Sequence, residues 1–115
     1  MKTMPSTHQP PFLTTLNCQI EKHLSDNTLS ITRLIRLVGM SRTDLHRKLD
    51  IAVGMSATEY IRYIRLNKAA QLLVLEREWS VYQICMEVGF NDQSYFTRRF
   101  RELFGVCPLT FREKN

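Results

Sequence analysis

Two short stretches carry side chains whose groups suit hydrogen bonding rather than bond breaking. Arg42, Thr43, His46 and Arg47 form the first set, and Gln93, Ser94, Thr97 and Arg98 repeat its spacing 51 residues later. On a helix, each set falls on one face. The chemistry available there is that of base-edge recognition. A guanidinium pairs with guanine N7 and O6, a Gln amide with adenine N6 and N7, and a Thr side chain offers both a hydroxyl and a methyl group. Lys48, Arg99 and Arg101 sit slightly off the same faces, with Tyr95 beside them, and suit phosphate oxygens, which position a protein on a duplex without specifying sequence. A solvated charged face accounts for any one of these residues alone, but two such faces at matching positions call for a common partner.

Bond-making chemistry finds no comparable set. Cys18, Cys85 and Cys107 are widely spaced, with no CxxC pair, and no Gly-rich phosphate loop is present. A nucleophile with its base, or a carboxylate pair in a pocket, is missing, and the chain is too short for a large pocket. An enzyme is therefore not expected. His8, His23 and His46 lack metal-ligand spacing, so neither a metal nor another cofactor is expected. His46 is read as a DNA-facing hydrogen-bonding group. Asp44 is read as a first-turn partner of the helix dipole.

Sixteen basic against eleven acidic residues give a formal net charge of +5 and a pI near 9.4, which favours a polyanionic partner. The odd, scattered cysteines point to a reducing, cytoplasmic compartment. No apolar run approaches the roughly 20 residues that span a bilayer, so no membrane partner is expected. The N-terminal stretch MKTMPSTHQPP has no apolar block and reads as a flexible lead-in.

The elements that must hold the two sets are helices. A Ser preceded by an apolar residue recurs as Leu29-Ser30, Met40-Ser41, Met55-Ser56 and Trp79-Ser80, each followed by an apolar residue at staple spacing. Ser56 with Glu59 makes a capping box, and Val106-Cys107-Pro108 is a fifth start with Pro at the first helical position. Gly39, Gly54, Gly89 and Gly105 mark helix ends. These marks predict seven helices, near 11–25, 31–38, 42–52, 57–76, 81–88, 92–104 and 108–113. In 42–52, Leu45, Leu49 and Ala52 are expected to face inward; in 92–104, Phe96, Phe100, Leu103 and Phe104. Helix 57–76 is apolar nearly all round, as a helix gripped from more than one side would be. At ~1.5 Å per residue it reads as a strut of about 30 Å.

The chain also repeats itself. At an offset of 50 residues, Ile31, Leu34, Val38 and Gly39 fall on Val81, Ile84, Val88 and Gly89. One residue inserted in the second copy then brings Leu45, Arg47, Lys48 and Leu49 onto Phe96, Arg98, Arg99 and Phe100. Each copy is a short helix, a Gly-containing turn and a second helix, the helix-turn-helix arrangement in which the second helix enters the DNA major groove. An αα-hairpin duplicated for structural reasons alone, or a helical module that binds proteins, would share the bare geometry.

Specific wording favours the first reading. MSRTDLHRKLDIAVGMSATEYIRYIRLNKAAQLL resembles the first half of the DNA-binding domain of AraC/XylS-family transcriptional regulators, and VYQICMEVGFNDQSYFTRRFRELFGVCPLTFRE resembles the family's signature second half. Cys107 departs from the usual Ser or Thr before Pro108, and Cys85 and Met86 stand where Ala is common; Cys is small enough to fit both of its places. The resemblance implies an all-α fold with two helix-turn-helix subdomains joined by a long linker helix. It implies major-groove reading of double-stranded DNA, with Thr43, His46, Arg47, Gln93, Ser94, Thr97 and Arg98 at the reading positions.

The expected organisation is a lead-in at 1–11, a first helix-turn-helix subdomain at 12–55, a linker helix at 56–76 and a second subdomain at 77–115. A stretch as short as 1–11 cannot hold a sensor, so the chain is either an output fragment of a longer regulator, the favoured reading, or a small stand-alone member of the family. The wording resembles output domains of two-component regulators of this family, with the sensor or receiver domain outside this chain. RNA polymerase is a second expected partner. With two reading helices on one chain, a monomer should suffice for DNA binding.

Overall fold

Side-chain caps divide the chain into its helices. A computed structural model describes residues 10–115; residues 1–9 of the expected lead-in, and His8 with them, lie outside the described residues. Seven helices and no strand occur among the described residues: α1 (Pro11–Lys22), α2 (Ile31–Val38), α3 (Arg42–Val53), α4 (Ala57–Leu75), α5 (Val81–Glu87), α6 (Gln93–Phe104) and α7 (Pro108–Lys114). No helix among them is long and apolar enough to cross a membrane.

The start signals act as their chemistry requires. Ser30 accepts from the Arg33 amide, Ser41 from the Asp44 amide, and Ser56 and Glu59 exchange both bonds of a capping box. Ser80 and Gln83 form a second capping box. Two starts differ from expectation. Asp92 lies outside α6 as its cap, accepting from the Tyr95 amide at 3.1 Å. Cys107 makes no cap bond, and its Sγ lies 3.2 Å from Thr110 Oγ1 instead.

The first helix ends three residues early, at Lys22 rather than residue 25. Asp26 accepts from the Thr28 amide at 2.9 Å, a local turn that competes with the helical ladder for backbone donors.

The described residues divide into two compact units, 10–23 with 29–61, and 24–28 with 62–115. In the first unit α1 packs on α2 and α2 on α3. Its buried side chains are Leu13, Leu16, Ile20, Leu29, Leu34, Leu45, Leu49, Ala57, Tyr60 and Ile61. The Tyr60 hydroxyl donates to Asn17, joining the start of α4 to α1.

The second unit is built on aromatic rings. Phe90, Phe96, Phe100, Phe104 and Phe111 form a chain with centroids 4.5–5.8 Å apart, the tilted and edge-on spacing that ring quadrupoles favour. Leu66, Ala69, Ala70 and Leu73 of α4 and Ile84, Cys85 and Val88 around α5 complete this core. The all-round apolar pattern of α4 is thus two successive stripes: Ala57, Tyr60 and Ile61 serve the first unit, and Leu66 to Leu73 the second.

Two inward assignments fail. Ala52 is exposed because Leu45 and Leu49 fix the buried stripe of α3 and half-buried Val53 continues it, leaving Ala52 one position round the helix. Leu103 is 42% exposed because Phe104, stacked against Phe100 and Phe111, takes the inward place.

The end of α4 is closed by a distant side chain. Arg112 of α7 donates from Nε to the Leu73 carbonyl at 2.9 Å and from Nη2 to the Glu76 carbonyl at 3.1 Å. The Leu73 carbonyl is among the acceptors that a helix C-terminus leaves without a partner, while the Glu76 carbonyl also accepts from the Trp79 amide at 3.0 Å.

Candidate nucleic-acid interface

The Ser41 cap fixes where α3 begins, and therefore which residues face outward. Arg42, Thr43, His46, Arg47 and Asp50 are all exposed, on the side opposite Leu45 and Leu49. Three of the expected cations have partners. Arg42 Nη2 donates to Thr32 Oγ1 of α2 at 2.9 Å, and Arg47 pairs with Asp44 one turn earlier. Lys48 is half-buried, its Nζ 5.8 Å from the centre of the Phe12 ring. Asp44 occupies the first turn of α3, as expected of a dipole partner.

In the second unit Asp92 sets the register of α6. Gln93, Ser94, Arg98 and Arg101 are exposed, while Tyr95, Thr97 and Arg99 are half-buried. Arg98 and Arg99 both lie over the Tyr95 ring, with Cζ 5.4 and 5.3 Å from its centre. Arg99 also donates to Glu102 at 3.2 Å. The Tyr95 phenol, and after it Glu102, hold the Arg99 pKa above its ordinary value, so Arg99 stays a cation at any working pH.

Ser41 and Asp92, the caps of α3 and α6, are equivalent positions, 51 residues apart. Asp44 and Tyr95 are equivalent too, and each holds the arginine three residues on: a carboxylate beside Arg47, an aromatic face beneath Arg98. Different chemistry pre-orients the same side chain on both helices. Both holds are weak enough to release. An exposed ion pair is worth ~0–1 kcal/mol and an exposed cation–π contact ~0.5–1 kcal/mol.

Sequence reasoning missed Arg62. It lies in α4, outside both reading sets, yet its Nη1 donates to the Tyr95 hydroxyl at 3.4 Å and adds a third guanidinium at that phenol. Only the fold brings α4 and α6 together there. The missed cap Asp92 did carry a signal, since Asp before a helix is a preferred cap.

Paired helix-turn-helix units with basic, hydrogen-bonding second helices define a DNA-binding protein. A helix-turn-helix domain family matches residues 34–114. An AraC-type DNA-binding protein from Chromobacterium violaceum is 30% identical, with a TM-score of 0.82 over 90% of this chain and 91% of that one. The C-terminal domain of AraT, a response regulator from Geobacillus stearothermophilus, is 28% identical, with a TM-score of 0.80 over 93% of this chain and 88% of that one. The F1 operon positive regulatory protein of Yersinia pestis is 34% identical over 81% of this chain and 31% of its own length. The chain belongs to the AraC family of helix-turn-helix DNA-binding domains, a family found in transcriptional regulators. It spans about a third or less of the curated relatives it matches.

Proposed function

We propose that the chain reads a specific duplex DNA sequence with α3 and α6, each in its own stretch of major groove, as the output domain of a bacterial transcriptional regulator. The observation that carries this reading is the matched pair of outward faces, each with an arginine held by the residue one turn before it. Arg42, Thr43, His46 and Arg47 read base edges from α3, and Gln93, Ser94, Thr97 and Arg98 from α6. Lys48, Tyr95, Arg99 and Arg101 hold phosphates, and Arg62 joins them at Tyr95.

One chain carries both readers, so a monomer binds an asymmetric site. A sensor or receiver domain lies outside this chain, and the likeness to a response-regulator output domain supports a two-component setting. The name of the Yersinia pestis relative supports activation, with RNA polymerase as the further contact. The cytoplasm is the compartment where such a regulator meets its DNA.

Selection of bound duplexes from a random pool, with affinity then measured across salt concentrations, tests the reading. The expected result is an asymmetric consensus bound by one chain. Affinity should fall with salt at a log–log slope of about 0.9 per phosphate contacted. Salt-sensitive binding without any consensus would refute sequence reading.

A further inference from the structure

We propose that Arg65 is the positioning residue of the second reader: its guanidinium ties the α5–α6 turn to the α1–α2 linker and thereby fixes how α6 presents Gln93, Ser94 and Arg98. The inference rests on the reading of α6 as a DNA reader.

Arg65 is the one buried charged residue among those described, 8% exposed. Its Nη1 donates to the Gly89 carbonyl at 3.1 Å, and its Nη2 to the Asp26 carbonyl at 2.7 Å. Gly89 is the turn glycine between α5 and α6, with φ of +94°. A Cβ there would stand 2.2 Å from the Leu24 carbonyl oxygen and 2.8 Å from Arg65 Cζ, so turn, linker and guanidinium are in direct contact. Gly39, its equivalent in the first copy, has nothing within 4 Å of a built Cβ. The first turn is open and the second is clamped.

Stability is a poor reason for this arginine. Burial lowers its pKa, with the Asp26 charge opposing, and its buried Nε has no hydrogen-bond partner. Well-packed apolar residues commonly match or exceed a buried charge in stability. What an apolar side chain cannot supply is a rigid planar fork that holds two backbone carbonyls at a set separation. From the clamped carbonyl the chain passes through Phe90, packed on Phe96 at 5.2 Å between ring centres, to the Asp92 cap. The fork therefore acts on α6 through a lever only a few residues long.

The test is selection from a random duplex pool with the wild-type chain, Arg47→Ala, Arg98→Ala, Arg65→Lys and Arg65→Met, below the unfolding temperature of each. Positions flattened by Arg98→Ala define the α6 half of the site, and those flattened by Arg47→Ala the α3 half. Both Arg65 variants should lose about tenfold in discrimination within the α6 half and keep the α3 half. Lys should lose as much as Met, because an ammonium keeps the charge but not the fork. Should Met prevent folding, the Lys variant alone decides. A role in stability alone would lower both halves together, and that result overturns the proposal, as does an unchanged α6 half. If Arg98→Ala flattens no position in the wild-type site, α6 is not a reader and the proposal falls with that reading. If it flattens positions that Arg65→Lys spares, only the role of Arg65 falls.

Discussion

Replacing Arg47 by Ala removes the proposed reading group of α3 at almost no cost to the helix. Its side chain is 62% exposed and its ion partner Asp44 37% exposed. Ala is the best helix former, so folding stability should change by less than about 0.5 kcal/mol. The effect on DNA is a difference of two terms. A bidentate contact to guanine discriminates by ~1–3 kcal/mol, and drawing Arg47 away from Asp44 costs at most ~0.5 kcal/mol for a pair of this exposure. About 0.5–2.5 kcal/mol remains, or roughly 2- to 70-fold in preference at the base Arg47 faces. Arg98→Ala should show the same size of effect at a different position, since leaving the Tyr95 ring costs ~0.5–1 kcal/mol. Random-pool selection followed by titration of single-base variants measures both. Discrimination lost at one position for each mutant, with the other position intact, is the expected outcome. If Arg98→Ala weakens all sequences alike and leaves the consensus unchanged, α6 is a backbone anchor and the case for two readers fails.

Four other perturbations follow from the same geometry. Arg112→Ala should lower stability in urea by about 2–3 kcal/mol, because the Leu73 and Glu76 carbonyls lose charged donors; no loss would show that water caps α4 equally well. Tyr95→Phe keeps the ring under Arg98 and removes the acceptor for Arg62, so affinity should fall for all sequences with the consensus preserved; a changed consensus would make the hydroxyl a reader. Arg101→Ala should reduce the salt slope by about one ion without altering base preference, as comparison of titrations at several salt concentrations will show. Burial, and after it the Asp92 charge, raise the Cys85 thiol from 9.0 to about 11. The folded state therefore resists ionisation, and stability should decline as pH rises from about 9 towards 11, a window that Cys85→Ser should remove; an identical decline in that variant would assign it to another group.

How much of this was legible in the sequence depends on the range of each interaction. Caps act over three residues, and Ser30, Ser41, Ser56 and Ser80 all start helices where local chemistry places them. The buried stripes of α3 and α6 were readable from period alone at Leu45, Leu49, Phe96 and Phe100. At the helix ends the pattern became ambiguous, and Ala52 and Leu103 were drawn inward when Val53 and Phe104 hold those places. What stayed hidden is long-range: Arg62 at Tyr95, Arg65 between two carbonyls and Arg112 on the end of α4 span 24 to 39 residues. In a linear reading each is one more arginine in a basic chain.

That distinction also separates what net charge can explain from what it cannot. A pI near 9.4 accounts for attraction to any polyanion. Yet several arginines point away from simple counting: Arg65 and Arg112 hold backbone carbonyls inside the protein, and Arg47 and Arg98 are steered by neighbours one turn back. Lys could supply the charge at every one of these places, but its ammonium lacks the rigid planar fork that grips two carbonyls at a set separation. The same planar group also suits the base-reading role proposed for the outward faces. Arg65 and Arg112 are therefore geometric elements first and charges second, and replacing either with Lys should keep the charge while removing the grip on two carbonyls.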